Sequence, residues 1–407
     1  MSQTTQSSAD LLDSRYSWFR LGIALAISMV GSAGMWAIIL VLPRMQADLG
    51  VGRGEVSFAY TTTMVGFALG NVFLGRLVDR YGITPVLMGS ALLNALGFAL
   101  ISQTETMWLI SLFQGLLVGL GASSCFGPLI ADTSHWFKRR RGVAVSIVAS
   151  GNYFAGAVWP ILLAPVLAEG GWRAGYLVIA IAIAVIVLPL AVFLRRSPPD
   201  HSTTANATGA AYTISLSPRS LQILLSLAGL GCCVAMAMPQ VHIVALCADL
   251  GYGPAVGGEM LSLMLFGGIV SRVVSGMLAD VIGGVRTLLL GSTLQCLALF
   301  LYLPFDGLTS LYIVSLVFGL SQGGIVPSYA VIVREYLPAK EAGERIGQVV
   351  MATVAGMALG GWLSGVIYDW TGSYDLAFLN GIAWNIMNMS IAVLILLRTV
   401  PPRPQTA

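Results

Sequence analysis

Charge is what this sequence has least of. Asp, Glu, Lys and Arg make up 10% of its 407 residues, against about 25% in a soluble globular domain. Histidine is nearly missing, with three copies. The five cysteines (Cys125, Cys232, Cys233, Cys247 and Cys296) have no zinc-type spacing and fall in or at the ends of apolar blocks, so they read as small packing residues. There is no Walker-type phosphate loop. The glycine-rich stretches Gly119-Leu120-Gly121 and Gly356 to Gly361 lie inside apolar blocks with no strand before them. Small residues there let helices approach closely, and ATP drive is not indicated. No catalytic cluster is found, so neither an enzyme nor a bound cofactor or metal is expected. Residues 1–17 lack the basic start and small-residue cleavage site of a signal peptide, so the first apolar block is expected to remain as a helix.

What is present is long apolar runs. Twelve blocks lie near 18–42, 56–78, 84–102, 107–134, 142–167, 174–194, 219–247, 255–279, 285–303, 309–333, 346–368 and 376–397. Each is long enough to cross about 30 Å of hydrocarbon at about 1.5 Å per residue. Barrel strands would be about half that length and would alternate polar with apolar residues, which these do not. The spacing predicts an all-α membrane protein of twelve transmembrane helices.

The basic residues orient it. With the N-terminus inside, cytoplasmic segments hold seventeen of the 21 Lys and Arg, the outer loops hold Arg44, Arg53 and Arg173, and Arg272 remains inside a block. The expectation is a multi-pass protein of the inner (plasma) membrane with both termini cytoplasmic. The net charge of +3 therefore reports topology, and no nucleic acid partner is expected. The bilayer is the expected partner, and a functional monomer the expected state.

A Ser-, Thr-, Pro- and Ala-rich stretch from Arg195 to Ser217 has the composition of a flexible linker. It divides the chain into a tail (1–17), a six-helix half (18–194), the linker (195–218), a second six-helix half (219–397) and a tail (398–407). The halves repeat at an offset of 201 residues. Ala47-Asp48-Leu49-Gly50 recurs as Ala248-Asp249-Leu250-Gly251. Gly75-Arg76-Leu77-Val78-Asp79-Arg80-Tyr81-Gly82 recurs as Gly276-Met277-Leu278-Ala279-Asp280-Val281-Ile282-Gly283. Gly66 matches Gly267, and Gly171-Trp172-Arg173 matches Gly372-Ser373-Tyr374. Duplicated bundles imply two pseudo-symmetric halves with a site near the membrane midplane.

Arg272 is the residue that demands an explanation. A guanidinium at hydrocarbon depth costs roughly 2.5–3.5 kcal/mol on insertion scales, so it is a functional hypothesis by default. Its planar fork fits a carboxylate. No Asp or Glu lies at mid-block depth; Asp79, Asp132, Glu259 and Asp280 all fall near block ends. A substrate anion is the expected counterpart. His242 is the one histidine within an apolar block, and its titration suits proton coupling. Asn152, Gln322 and Tyr329 are polar or amphipathic positions within spans, which either line a pore or bond across a helix interface.

The two G-x-L-x-D-x-x-G copies, the loop Trp136-Phe137-Lys138-Arg139-Arg140-Arg141-Gly142 and the Gly-Trp-Arg at 171–173 resemble the major facilitator superfamily. The resemblance covers essentially the whole chain. Within it, Gly119-Leu120-Gly121 with Pro128, the run Gln240-Val241-His242-Ile243-Val244 and above all Arg272 are similar to the monocarboxylate porter and oxalate–formate exchanger branch. The resemblance implies that Arg272 holds a substrate carboxylate, and it places Met35, Ser124, Phe126 and Asn152 at cavity positions. It also implies an inner gate at which Asp79 and Asp280 meet helix N-termini of the opposite half, with Arg76, Arg80 and Arg141 adding pairs. The oxalate exchangers carry a lysine in the eleventh helix; Met351 to Met357 has none, which implies one carboxylate on a small body. The expected activity is secondary transport of a small monocarboxylate such as lactate or pyruvate, with the proton as coupling ion. The alternatives are a proton-driven exporter of drugs or other organic compounds and an organic-anion exchanger. The exporter reading is weakened because Phe113-Gln114-Gly115 lacks the arginine that many antiporters carry just before such a Gln-Gly.

Overall fold

A computed structural model describes residues 12–137, 140–196, 213–337 and 342–400. Among them, twelve helices are long and apolar enough to cross a membrane. In order they are Arg15–Leu49, Arg53–Tyr81, Ile83–Ser102, Met107–Ser134, Val143–Glu169, Gly171–Val192, Pro218–Asp249, Pro254–Ile282, Gly284–Leu301, Leu308–Tyr336, Glu344–Thr371 and Asp375–Arg398. We number them as spans one to twelve. The expected all-α architecture is the observed one. The strand content is a two-residue antiparallel bridge, Thr213–Ile214 against Thr399–Val400. Most of the expected linker, the ends of both tails, Lys138, Arg139 and the side chain of Arg141 lie outside the described residues.

The chemistry of the termini explains where the helices start and turn. Ser14 and Ser217 cap spans one and seven, accepting from Ser17 N at 3.2 Å and Ser220 N at 3.1 Å. Gly50 and Gly251 end spans one and seven with φ of 63° and 83°. Gly82 and Gly283 make the turns after spans two and eight with φ of 81° and 86°. A left-handed backbone favours glycine, which is the physical reason these pairs recur at one offset.

The duplication extends to buried polar contacts. In span three, Asn94 Nδ2 donates to the Gly31 carbonyl at 3.0 Å. In span nine, Gln295, 201 residues later, donates to the Cys232 carbonyl at 3.2 Å. The acceptors are separated by the same 201 residues. Small residues set the helix spacing: a Cβ on Gly119 would lie 2.3 Å from the Thr63 carbonyl, and one on Gly319 would lie 2.1 Å from that of Met264. Such contacts require glycine.

The chain divides into two compact units. Unit 1 comprises 1–51 and 62–204; unit 2 comprises 52–61 and 205–407. In this division residues 52–61, the start of span two, belong with unit 2. Span seven runs unbroken through Pro239. In unit 1, Arg20 and Asp132 form a buried ion pair at 2.7 Å with the guanidinium 4.4 Å from the Trp136 ring centroid. Charge counting alone treats the two as unrelated residues near helix ends.

Two substitutions test the packing account. Gly119→Leu should overpack a backbone contact and destabilise the protein by about 1–3 kcal/mol or more, read as a lowered thermal midpoint in detergent. Gly89→Ala meets open space and should leave the midpoint unchanged or raise it.

Candidate functional site

Three spans are interrupted near their middles. Span one changes helix at Ser32, between Arg15–Gly31 and Ala33–Leu49. Span four breaks at residues 124–126, where Phe126 (φ −122°, ψ −90°) precedes the helix Gly127–Ser134. Span ten breaks at Gly323-Gly324, between Leu308–Gln322 and Ile325–Tyr336. The breaks in spans four and ten occupy corresponding places in the two halves, five residues after Gly119 and four after Gly319. In transporters built from repeats, paired interruptions mark the substrate region.

An interruption frees backbone groups that lipid cannot satisfy. Each break is met by a polar side chain. Asn94 takes the Gly31 carbonyl. Asn71 Oδ1 accepts from Gly127 N at 3.1 Å, while its Nδ2 donates to the Phe67 carbonyl at 2.8 Å. Arg272 Nε donates to the Gly323 carbonyl at 3.4 Å. Arg272 lies 201 residues after Asn71. The same structural position therefore holds a neutral amide in unit 1 and a permanent cation in unit 2. Contact is tight there: a Cβ on Gly323 would stand 2.0 Å from the Gly268 carbonyl and one on Gly324 2.0 Å from Ser275 Cβ.

In unit 1 the expected cavity residues gather around the first two breaks. Met35 lies one turn past Ser32 and is half-buried. Phe126 is half-buried and packs on Phe67, ring centroids 5.7 Å apart. Ser124 is fully buried, and its hydroxyl returns to the Gly121 carbonyl at 3.2 Å. Asn152 is half-buried in span five and takes Trp36 Nε1 on both its backbone oxygen (2.9 Å) and its Oδ1 (3.0 Å).

In unit 2, Arg272 is half-buried. Gln322 is the last residue before the same break and is fully buried. Its Oε1 accepts from Gln240 Nε2 of span seven, and its Nε2 has no hydrogen-bond partner among the described residues. Two expected substrate ligands are engaged elsewhere. Tyr329 is buried with its hydroxyl donating to Asn388 Oδ1 of span twelve at 2.9 Å. Asn388 in turn reaches Ser292 Oγ of span nine at 2.8 Å, so Tyr329 belongs to a packing network. His242 is fully buried with both ring nitrogens bonded, Nδ1 to the Tyr374 hydroxyl at 2.9 Å and Nε2 to the Gly361 carbonyl at 2.8 Å. The carbonyl can only accept, so Nε2 carries the hydrogen and Nδ1 accepts from the tyrosine. Burial pushes the Tyr374 hydroxyl well above the usual tyrosine range, which keeps it a donor.

Asp79 and Asp280 each sit two residues before the ends of spans two and eight. Arg76 and Arg80 lie on the same last turns of span two, and Arg80 covers the Tyr81 ring at 5.3 Å. Sequence reasoning did not single out Asn71, and it named Gln240 only as part of the run 240–244. Asn71 was available from the 201-residue offset applied to Arg272. Gln240 becomes visible only when span seven is laid on span ten.

Asn71→Leu removes the group that meets Gly127 N and should destabilise the fold by about 0.5–2 kcal/mol, measured as a lowered thermal midpoint. Asn71→Asp keeps the acceptor but sets a carboxylate oxygen against the Phe67 carbonyl, so it should recover only part of the loss.

A family model described as the Major Facilitator Superfamily matches residues 24–246 and 223–407. Monocarboxylate transporter 13 of Bos taurus is 29% identical over 307 residues, covering 74% of this chain and 71% of that protein. The uncharacterised transporter YhjX of Escherichia coli is 23% identical over 348 residues, covering 83% of this chain and 85% of that one. Among solved structures, the nucleoside transporter NupG superposes with a TM-score of 0.73 at 13% identity, covering 93% of this chain and 99% of that one. A bacterial homologue of the human lysosomal transporter Spinster does so at 0.71 and 12%, covering 95% and 97%. These two likenesses concern the fold. Twelve apolar spans, a 201-residue repeat carried into matching polar contacts, and paired helix breaks agree with the family match, and the chain belongs to the Major Facilitator Superfamily of membrane transporters.

Proposed function

We propose that this transporter carries a small monocarboxylate, of the size of lactate or pyruvate, with Arg272 as the carboxylate anchor. One observation carries the reading. The structural task at the break in span four is done by the neutral Asn71. The equivalent position facing the break in span ten holds Arg272. Asn71 accepts there from a backbone N–H, whereas Arg272 donates to a carbonyl and brings a full positive charge into its span. An ionisable residue within an apolar span is by default a functional-site hypothesis. Bidentate pairing with a carboxylate is the interaction a guanidinium makes best.

The remaining assignments follow from this anchor. Gln322, next to the Gly323 carbonyl that Arg272 meets, supplies an amide donor, with Gln240 orienting it. In unit 1, Met35 and Phe126 size the apolar body, with Asn152 and Ser124 beside them. The similarity to Monocarboxylate transporter 13 supports the substrate class. The lack of a second span-buried cation in Met351 to Met357 supports one carboxylate over two. Transport proceeds by alternating access as proton symport, the proton neutralising the Arg272–carboxylate charge balance across the cycle. Asp79 and Asp280, with Arg76, Arg80 and Arg141, form the inner gate. The protein sits in the inner membrane with both termini in the cytoplasm and works as a monomer.

Uptake of labelled lactate and pyruvate into proteoliposomes tests this. An inside-alkaline gradient should raise the initial rate severalfold. Arg272→Gln should abolish saturable uptake, and Arg272→Lys should lose most of it, because a point charge does not replace the planar fork. Full uptake by Arg272→Gln would remove the anchor, and rates indifferent to the gradient would remove the symport.

A further inference from the structure

Unit 2 holds a cavity that the repeat does not account for. It has a volume of about 420 Å³ and lies between the starts of spans seven and eleven, lined by Arg219, Gln222, Ile223, Glu344, Arg345 and Gln348. At the 201-residue offset, the corresponding residues of unit 1 are Trp18, Leu21, Gly22, Val143, Ala144 and Ile147. None of those six is charged. Leu21 and Ala144 are buried, and Trp18 packs edge-on against Phe137 with ring centroids 5.1 Å apart. Unit 1 thus puts apolar side chains at this place, where unit 2 puts two guanidinium groups, two amides and a carboxylate.

The cavity wall is only partly satisfied. Gln222 is 8% exposed; its Nε2 donates to the Arg345 carbonyl at 3.1 Å, and its Oε1 has no partner among the described residues. Arg345 Nη1 reaches the Pro218 carbonyl at 3.5 Å, which leans it over the first residue of span seven. Arg219 is exposed and enters no ion pair among the described residues. Gln348 Nε2 donates to Glu344 Oε1 at 3.3 Å, one turn back along span eleven. Both spans begin here, so their freed N–H groups add positive potential. The wall therefore combines an excess of charged donors with acceptors, one of them buried and unfilled. A merely solvated notch does not leave a buried acceptor without a partner.

We propose that this cavity is a second ligand site, which binds a phosphate ester of a hydroxylated molecule through Arg219, Arg345, Gln222 and Glu344. The phosphate presents several oxygens to two guanidinium groups, each of which pairs with an oxyanion through parallel N–H donors. Gln222 Oε1 and the Glu344 carboxylate accept from a hydroxyl of the same ligand. A bare anion would set negative charge against both acceptors, and the cavity far exceeds the ~30 Å³ share of one water in the liquid. A soluble sugar phosphate and the phosphoglycerol headgroup of an anionic lipid share this chemistry, and basic pockets between helix ends lie at headgroup level. Bound there, the ester bridges the starts of spans seven and eleven.

Equilibrium dialysis of the full-length protein in detergent against ribose 5-phosphate and methyl phosphate tests the soluble source. Native mass spectrometry of protein taken from mixed phosphatidylglycerol and phosphatidylcholine vesicles tests the lipid source. Both are run on the native chain and on Arg272→Gln, so that capture by the proposed substrate anchor is told apart from binding here. One ribose 5-phosphate, or one retained phosphatidylglycerol, should bind per chain in either background. Arg219→Gln combined with Arg345→Gln should weaken binding at least tenfold. Gln222→Leu should weaken ribose 5-phosphate severalfold and leave methyl phosphate, which has no sugar hydroxyl, unchanged. Gel filtration identifies any variant that fails to fold, and in that case Arg219→Gln, at an exposed position, decides. Binding of ribose 5-phosphate alone assigns the site to a soluble ester, and retention of phosphatidylglycerol alone assigns it to a lipid. Binding of neither, binding that the arginine variants leave unchanged, or binding lost in Arg272→Gln would overturn the second site.

Discussion

A backbone group freed inside hydrocarbon has no water to bond, and this constraint orders the rest of the molecule. The spans are uninterrupted helices except where an interruption is met by a polar side chain from a neighbour. Asn94 meets the Gly31 carbonyl, Asn71 meets the Gly127 amide and Arg272 meets the Gly323 carbonyl. The breaks are the points at which helices expose polar backbone at depth. Arg272 is distinctive because it meets a break as a charged donor to a carbonyl, where the residue at the same repeat position, Asn71, meets one as a neutral acceptor from an N–H.

The two halves are copies that have diverged at a small set of positions, and the divergences carry the functional argument. Where they agree, they report folding: paired glycines at positive φ, paired amides on carbonyls, paired backbone contacts at Gly119 and Gly319. Where they differ, the chemistry changes. Asn71 against Arg272 sets a neutral amide against a guanidinium at one repeat position. Arg173 against Tyr374 leaves Asp48 paired with the start of span six and Asp249 paired with Arg53 at the start of span two.

Most of the fold was legible in the sequence because hydrocarbon thickness imposes block length, and because the repeat places matched glycines where turns need them. The site was legible in part. Arg272 stands out as a lone charge in an apolar run, and no structure is needed to notice it. The environment of His242 was not legible. Its partners Tyr374 and Gly361 lie more than a hundred residues away, and a histidine in an apolar run reads the same whether it faces a pore or a tyrosine. The same holds for Tyr329, whose partner Asn388 sits in the last span. The pairing of Arg53 escaped for another reason. Counting Arg53 among loop charges uses it for topology and leaves unasked that it faces Asp249.

The central claim is that the charge of Arg272 serves a ligand while its hydrogen bond serves the fold. Arg272→Asn separates the two, because it removes the charge and leaves an amide N–H as donor for the Gly323 carbonyl. The decisive measurement is the thermal midpoint of native protein and Arg272→Asn in detergent, with and without a saturating short monocarboxylate. The account predicts similar midpoints without ligand, a rise of several degrees with ligand for the native protein, and no rise for Arg272→Asn. An equal ligand-induced rise in both proteins would contradict it.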